Sequence, residues 1–170
     1  MSAAACPFEL RRLERDDAAT YRQLRLEALE RHPDAFGASP ADEWQMSIDD
    51  MADRLARSVV FGAFDGAGLE GVAGWYRMDG DKLAHRGALW GMYVRPQARG
   101  RGMGKALVCR VIDDARDNVE QLHLTVAAHN VAARRLYEMT GFATYGVEPR
   151  ALKVGDEYVD EIMMVCLLRR

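Results

Sequence analysis

Arg99 to Lys105 read RGRGMGK, so three glycines (Gly100, Gly102, Gly104) fall at every second position among three cations, and the apolar run ALV follows. Glycines so placed either make a turn that side chains disfavour or bring bare main-chain N–H groups up against an anion. An apolar segment precedes the stretch and a helical pattern follows it. That context points to N–H groups converging at a helix N-terminus, where the helix dipole adds partial positive charge. Such a cradle suits a pyrophosphate, with Arg99, Arg101 and Lys105 able to help neutralise it. A glycine-rich surface turn with solvated cations is the alternative. Two common phosphate loops fail on spacing. A Walker loop, GxxxxGK[ST], has Arg99 in place of its first glycine and Ala106 in place of the hydroxyl that holds magnesium; a dinucleotide fingerprint needs GxGxxG, and the glycines here run GxGxG.

The chain as a whole is not basic. Lys and Arg number 23 against 26 Asp and Glu, a formal charge of -3, so nothing in bulk attracts nucleic acid or an anionic membrane, and any anion site must be local. The start, MSAAACPFEL, has neither a basic end nor an apolar core, which predicts no export leader and a cytoplasmic protein. The densest apolar runs, SVVFGAF and IMMVCLL, are strand-length and far short of a membrane span. Cys6, Cys109 and Cys166 form no CxxC or Cys/His cluster, so reduced cysteines and no metal site are expected.

The elements that must position the loop follow from periodicity and from stop signals. FELRRL alternates as a strand; Asp16 and Asp17 offer caps to a helix with Ala18, Tyr21, Leu24 and Ala28 on one face, stopped by Pro33. HPDAFGASPADEW reads as a loop, and Ser47 caps a second helix with Ile48, Met51, Ala52 and Leu55 inward. SVVFGAF (58–64) and LEGVAGWYRM (69–78) form a hairpin around Asp65-Gly66, and HRGALWGMYVR (85–95) is a third strand of this group. A helix runs from Gly104 to Ala115 and QLHLTVA (121–127) is a strand. Asn130 caps a helix that passes Tyr137 and closes at Gly141, and FATYGVE and EYVDEIMMVCLL form a final hairpin near Gly155. This order predicts one α/β domain over 1–170, a mixed, mostly antiparallel sheet of about seven strands with helices on both faces.

Arg99-x-x-Gly102-x-Gly104 after the fourth strand, then Asn130, Ala133, Leu136, Tyr137, Gly141 and Phe142 after the fifth, resemble the paired signature of the GNAT superfamily of N-acetyltransferases. The predicted element order matches that fold over nearly the whole chain. The resemblance implies that acetyl-CoA is the co-substrate, with its pyrophosphate on the amides of Arg99, Gly100, Arg101, Gly102, Met103, Gly104 and Lys105. Its pantetheine arm would lie beside the fourth strand, pairing with main chain at Met92, Tyr93 and Val94, and would meet Asn130. Gly91 interrupts that strand, as a bulge does, or else makes room for a neighbour such as Trp90. Tyr137 matches the family's general acid; a helix tyrosine packed in the core is the other reading.

The reaction implied is attack of a neutral amine on a thioester. Ribosomal-protein N-terminal acetylases of this superfamily carry a glutamate base five residues before the asparagine, and here that position is Thr125, which cannot take a proton at neutral pH. Glu27, His85, Glu157 and Asp160 are candidate replacements. His123 reads as packed or partly exposed, and His129 as solvated. Phe36, Trp44, Trp90, Thr125, Arg150 and Lys153 could line the acceptor pocket. The expected acceptor is a small primary amine; a protein N-terminus or lysine is the runner-up, and a non-catalytic acyl-CoA-binding module is the third reading. No nucleic-acid or membrane partner is expected, and a homodimer is compatible with the resemblance.

Overall fold

The computed structural model describes residues 8–168, so Cys6 and all but the last three residues of the stretch read for an export leader lie outside it. The chain begins with β1 (Glu9–Arg12), a 3-10 turn (Arg15–Asp17) and three helices, α1 (Ala18–Arg31), α2 (Pro40–Trp44) and α3 (Ile48–Arg57). There follow β2 (Val59–Asp65), β3 (Gly68–Arg77), β4 (Arg86–Val94), α4 (Met103–Arg116), β5 (Gln121–Ala127), α5 (Val131–Met139), β6 (Ala143–Val154) and β7 (Glu157–Leu167). Sheet order is β1-β2-β3-β4-β5-β7-β6, seven strands as expected. Every pairing is antiparallel except β4 with β5.

Helices cover both faces. On one, α1 and α3 bury Tyr21, Leu24, Met51 and Leu55 against Val60, Val72 and Tyr93 of the sheet. On the other, α4 sets Leu107, Val108 and Val111 against Phe61, Ala73 and Leu122, with Tyr137 of α5 in the same cluster. Among the described residues no helix is long and apolar enough to cross a membrane.

Four local expectations are corrected. Asp17 does not cap α1 through its side chain; its carboxylate reaches back to the Glu14 amide at 2.8 Å and holds Arg11 at 2.7 Å, closing a capping box one turn earlier. The stretch read as a loop contains α2, with Ser39 as cap and Pro40 at its first position, too short for periodicity to show. Ser47 does cap α3, but Ile48 faces solvent because its first-turn position points away from the sheet. The final hairpin is longer than FATYGVE suggested, since β6 runs on through Pro149 and Arg150 by way of a register shift between Glu148 and Leu152.

One ion cluster fastens the three helices to each other. Glu43 of α2 accepts from Arg25 Nη2 of α1 at 2.8 Å, and Arg54 Nη1 of α3 donates to both of its oxygens at 2.9 Å. The Arg25 and Glu43 side chains are each only 4% exposed. Burial alone would raise the Glu43 pKa, but the two guanidinium groups outweigh it and hold the carboxyl below its usual range. A depressed folded pKa stabilises the fold above the unfolded carboxyl value of about 4.3, and that contribution disappears as pH falls through the folded value. Glu43→Gln should therefore cost about 3 to 5 kcal/mol at pH 7, because it leaves a buried guanidinium unpaired. In urea titrations the gap between variant and parent should close as pH drops below about 4; equal stability at pH 7 would show that the cluster holds nothing.

Candidate active site

Parallel pairing of β4 with β5 lasts three residues, Arg86–Ala88 against Gln121–His123. From Leu89 onward β4 has no partner on its β5 side among the described residues, and the two strands part into a wedge. The cause lies in β4 itself. Val72 pairs with Tyr93 and Gly74 with Trp90, so Gly91 and Met92 stand opposite the single residue Ala73. This is a β-bulge, which bends its strand, and Gly91 takes φ +63°, a conformation costly for other residues. Room for the Trp90 indole comes from Gly74 instead, where a Cβ would meet its Nε1 at 3.1 Å. Of the two readings of Gly91, the bulge holds.

Past the wedge, Arg95 pins the end of β4. Its Nε donates to Glu27 at 2.9 Å and its Nη1 to Glu70 at 3.2 Å. A 3-10 turn (Pro96–Ala98) then leads to Gly100 and Gly102, both left-handed at φ +76° and +81°. Gly102 begins α4 and offers no side chain to cap it. The first intrahelical bond is Ala106 N–H to the Gly102 carbonyl, so the amides of Met103, Gly104 and Lys105 have no partner further back in the helix. Gly104 serves differently: a Cβ there would lie 3.2 Å from Met92 Cε and 3.4 Å from Leu136 Cδ2, so its absence lets α4 close on β4 and α5.

Of the three cations, Arg99 folds back to donate to the Val94 carbonyl at 2.9 Å, with its guanidinium over the Tyr93 ring. Arg101 pairs with Asp65 of the β2–β3 turn at 2.6 Å. The Ala67 amide and then Arg101 hold that carboxyl below its usual range. Lys105 is exposed on the first turn of α4.

On the β5 flank, Asn130 Oδ1 accepts from the Ala133 amide at 3.1 Å, the expected cap of α5. Tyr137 is buried, with its ring edge-on to Phe142. Burial alone raises its pKa well above the ordinary phenol value; no neighbouring charge contributes. Thr125 is exposed on the opposite face of β5 from Leu124 and Val126, which enter the core under α4. Ala127 pairs with Glu161 and Thr125 with Met163, so Glu161 lies on the Thr125 face of the sheet, one step along. Burial raises the Glu161 pKa, the Thr125 hydroxyl works the other way, and the charge of Glu148, directly opposite on β6, raises it again. Sequence reading passed over Glu161, because only the β5–β7 register brings it to Thr125.

The four bases suggested from sequence are placed elsewhere or engaged. Glu27 accepts from the Tyr93 hydroxyl and from Arg95. His85 precedes β4, at the end where β4 and β5 are paired, and Glu157 starts β7 at the hairpin turn. Asp160 accepts from the Arg150 amide at 2.7 Å. Among the pocket candidates, Phe36 and Trp90 are half-buried and flank Arg25, whereas Trp44 is 55% exposed under Arg22. Arg150 and Lys153 stack on Tyr158 in the last hairpin. His123 contacts Arg86 and Tyr145, and His129 is exposed, as read, and also meets Asp34 of the α1–α2 loop at 2.7 Å.

A model of the acetyltransferase (GNAT) family matches residues 19–142. A mycothiol acetyltransferase from Beutenbergia cavernae is 36% identical over 122 residues, 66% of this chain, and the match spans only 39% of that relative's length. Among solved structures, yncA of Salmonella typhimurium, determined with its cofactor acetyl-CoA, superposes with a TM-score of 0.85 at 20% identity, covering 96% of this chain and 95% of the other. A GNAT-family acetyltransferase from Streptococcus pneumoniae gives 0.84 at 22% identity, covering 94% and 98%. At these identities the structural likeness establishes the fold.

The loop geometry yields a test that separates its glycines. A Cβ at Gly102 meets nothing within 4 Å, so Gly102→Val should fold while straining the turn at φ +81° and crowding the amides. Coenzyme A affinity, measured by calorimetry beside circular dichroism, should fall roughly ten- to a hundredfold. Unchanged affinity in a folded variant would show that the glycines serve only the turn.

Proposed function

The chain belongs to the acetyltransferase (GNAT) family, and on that premise we propose that it transfers the acetyl group of acetyl-CoA to the primary amine of a small molecule. The observation that supports this most directly is the wedge between β4 and β5, closed at one end by the uncapped first turn of α4. The amides of Met103, Gly104 and Lys105, which have no intrahelical acceptor, would receive an anion there, which fits a pyrophosphate. Past Ala88 no strand pairs with β4 on its β5 side among the described residues, as an extended pantetheine arm requires, although the Val94 carbonyl already accepts from Arg99. A small acceptor accords with the curated relative, which is named for mycothiol, a small molecule.

When bound, acetyl-CoA supplies an acetyl group activated as a thioester. Main-chain N–H groups at the Gly91–Met92 bulge polarise the carbonyl under attack, where preorganised donors are most effective. Glu161 takes the proton that the amine must lose, directly or by way of the Thr125 hydroxyl. Its raised pKa brings it nearer the working pH, which is what a general base needs. Tyr137 stays protonated throughout the neutral range and donates to the departing sulfur, whose thiolate has an ordinary pKa of about 8.5. Asn130 keeps the start of α5 in place and offers its amide to the pantetheine arm.

A thiol-release assay with a panel of amines tests the proposal. Turnover should appear with a small amine; binding of acetyl-CoA with no turnover on any amine or peptide would make the domain a non-catalytic module. Tyr137→Phe should lower kcat by roughly ten- to a thousandfold with acetyl-CoA affinity kept, whereas a merely packed tyrosine would leave the rate intact. Glu161 must be ionised to act, so the rate should fall as pH drops through its pKa. Glu161→Gln should be roughly a hundred- to ten-thousandfold slower and should lack that acid limb. An unchanged pH profile would remove Glu161 from the mechanism.

A further inference from the structure

Arg25 is a buried cation with most of its donors unused. Its side chain is 4% exposed, between Leu24 and Leu26 on α1, both themselves buried. Only Nη2 has a hydrogen-bond partner among the described residues, Glu43 Oε1 at 2.8 Å. Nε is sealed from solvent with no partner at all. Glu43 is shared with Arg54, so two guanidinium groups divide one carboxylate and the cluster carries one uncompensated positive charge. Buried polar groups in native proteins are nearly always satisfied, and one that is not marks a role the free chain does not fulfil.

The direction in which Arg25 points supplies that role. Its Nη1 lies 3.5 Å from where a Cβ on Gly91 would begin, at the bulge that opens the wedge. The rings of Phe36 and Trp90 lie 5.8 and 5.5 Å from its Cζ, so aromatic walls fix the guanidinium and leave its edge toward β4. A planar guanidinium held in this way recognises a carboxylate through paired N–H donors. Across the wedge, the flank formed by β5, β7 and β6 carries two carboxylates, Glu161 on β7 and Glu148 on β6, suited to an amine. We infer that the acceptor is a primary amine that also bears a carboxylate, as an amino acid does, with the carboxylate on Arg25 beside Gly91 and the amine turned toward Glu161. This rests on the acetyl-transfer reading above and narrows it to a substrate class.

The test uses the twenty common amino acids and short ω-amino acids, each beside its carboxamide and its decarboxylated amine. Thiol release gives kcat/KM, and calorimetry on the protein saturated with coenzyme A gives affinity without any turnover. At least one acid should exceed its own amide tenfold or more in both readouts. Arg25→Lys keeps a cation for Glu43 but loses the fork, and should bring the acid-to-amide ratio close to one. If no acid is preferred over its amide in binding, the inference is overturned, and the ratio in the parent protein decides this even should the variant fail to fold. A variant that weakens acid and amide equally overturns it too, since Arg25 would then be only a tie between helices. Preferential binding of an acid with no acetyl transfer to any amine would uphold the carboxylate site while sinking the acetyl-transfer reading, so the two failures are distinguishable.

Discussion

The three-residue pairing between β4 and β5 is the constraint on which the rest of the molecule turns. Two blocks, β1-β2-β3-β4 and β5-β7-β6, are antiparallel throughout, and only this short parallel seam joins them into one sheet. Were the seam longer, β4 would spend its main-chain donors and acceptors on β5 and none would remain for a ligand. A shorter seam would leave too little of the sheet continuous beneath the core. Parallel neighbours need a crossover, here α4, and the ends of the seam thus deliver the α4 N-terminus to the mouth of the wedge. The bulge at Gly91 and Met92 sets where the seam stops.

Holding a wedge open in an otherwise close-packed sheet requires anchors on both flanks, and these are ionic where the chain leaves the sheet. Arg95 ties the end of β4 to α1 through Glu27 and to β3 through Glu70, a buried carboxylate. Asp65 and Arg101 fasten the phosphate loop to the β2–β3 turn. Two of the three loop cations, Arg99 and Arg101, are thus committed to holding the loop's shape, so the proposed anion site would rest on main-chain amides more than on side-chain charge. That division agrees with a chain whose net charge is negative, since a local cradle needs no basic field around it.

Much of this was legible before any coordinates. β5 was bounded to the residue, the caps Ser47 and Asn130 and the hairpin at Asp65 were all read correctly, and the glycine loop announced itself by spacing alone. What escaped shares a physical character: it depends on register or on three-way meetings in space. Glu161 looked like one more polar residue of an alternating strand until pairing with β5 set it beside Thr125. Arg25 lies four residues after Tyr21 and three before Ala28, on the face of α1 that enters the core, but its spacing says nothing of the partner that α2 brings to it, Glu43. Five residues of helix are too few to show a period, and without α2 the sequence shows no partner for an arginine on a buried face.

The proton economy of the site follows from the same geometry. A phenol buried as Tyr137 is has its pKa raised, so it does not ionise at working pH, and giving its proton fully to a free thiolate would be uphill. Its usefulness lies elsewhere. In the proposed transfer the departing sulfur carries negative charge, and a neutral donor already in place would stabilise that charge without creating a new one until the proton moves. In the proposed mechanism the two sides of the wedge take opposite tasks, a donor on the α5 face and an acceptor on the open face of β5 and β7. Desolvation performs both adjustments. It raises both the phenol and the Glu161 carboxyl, and the two groups lie on opposite faces of the sheet, which suits the separate roles proposed for them.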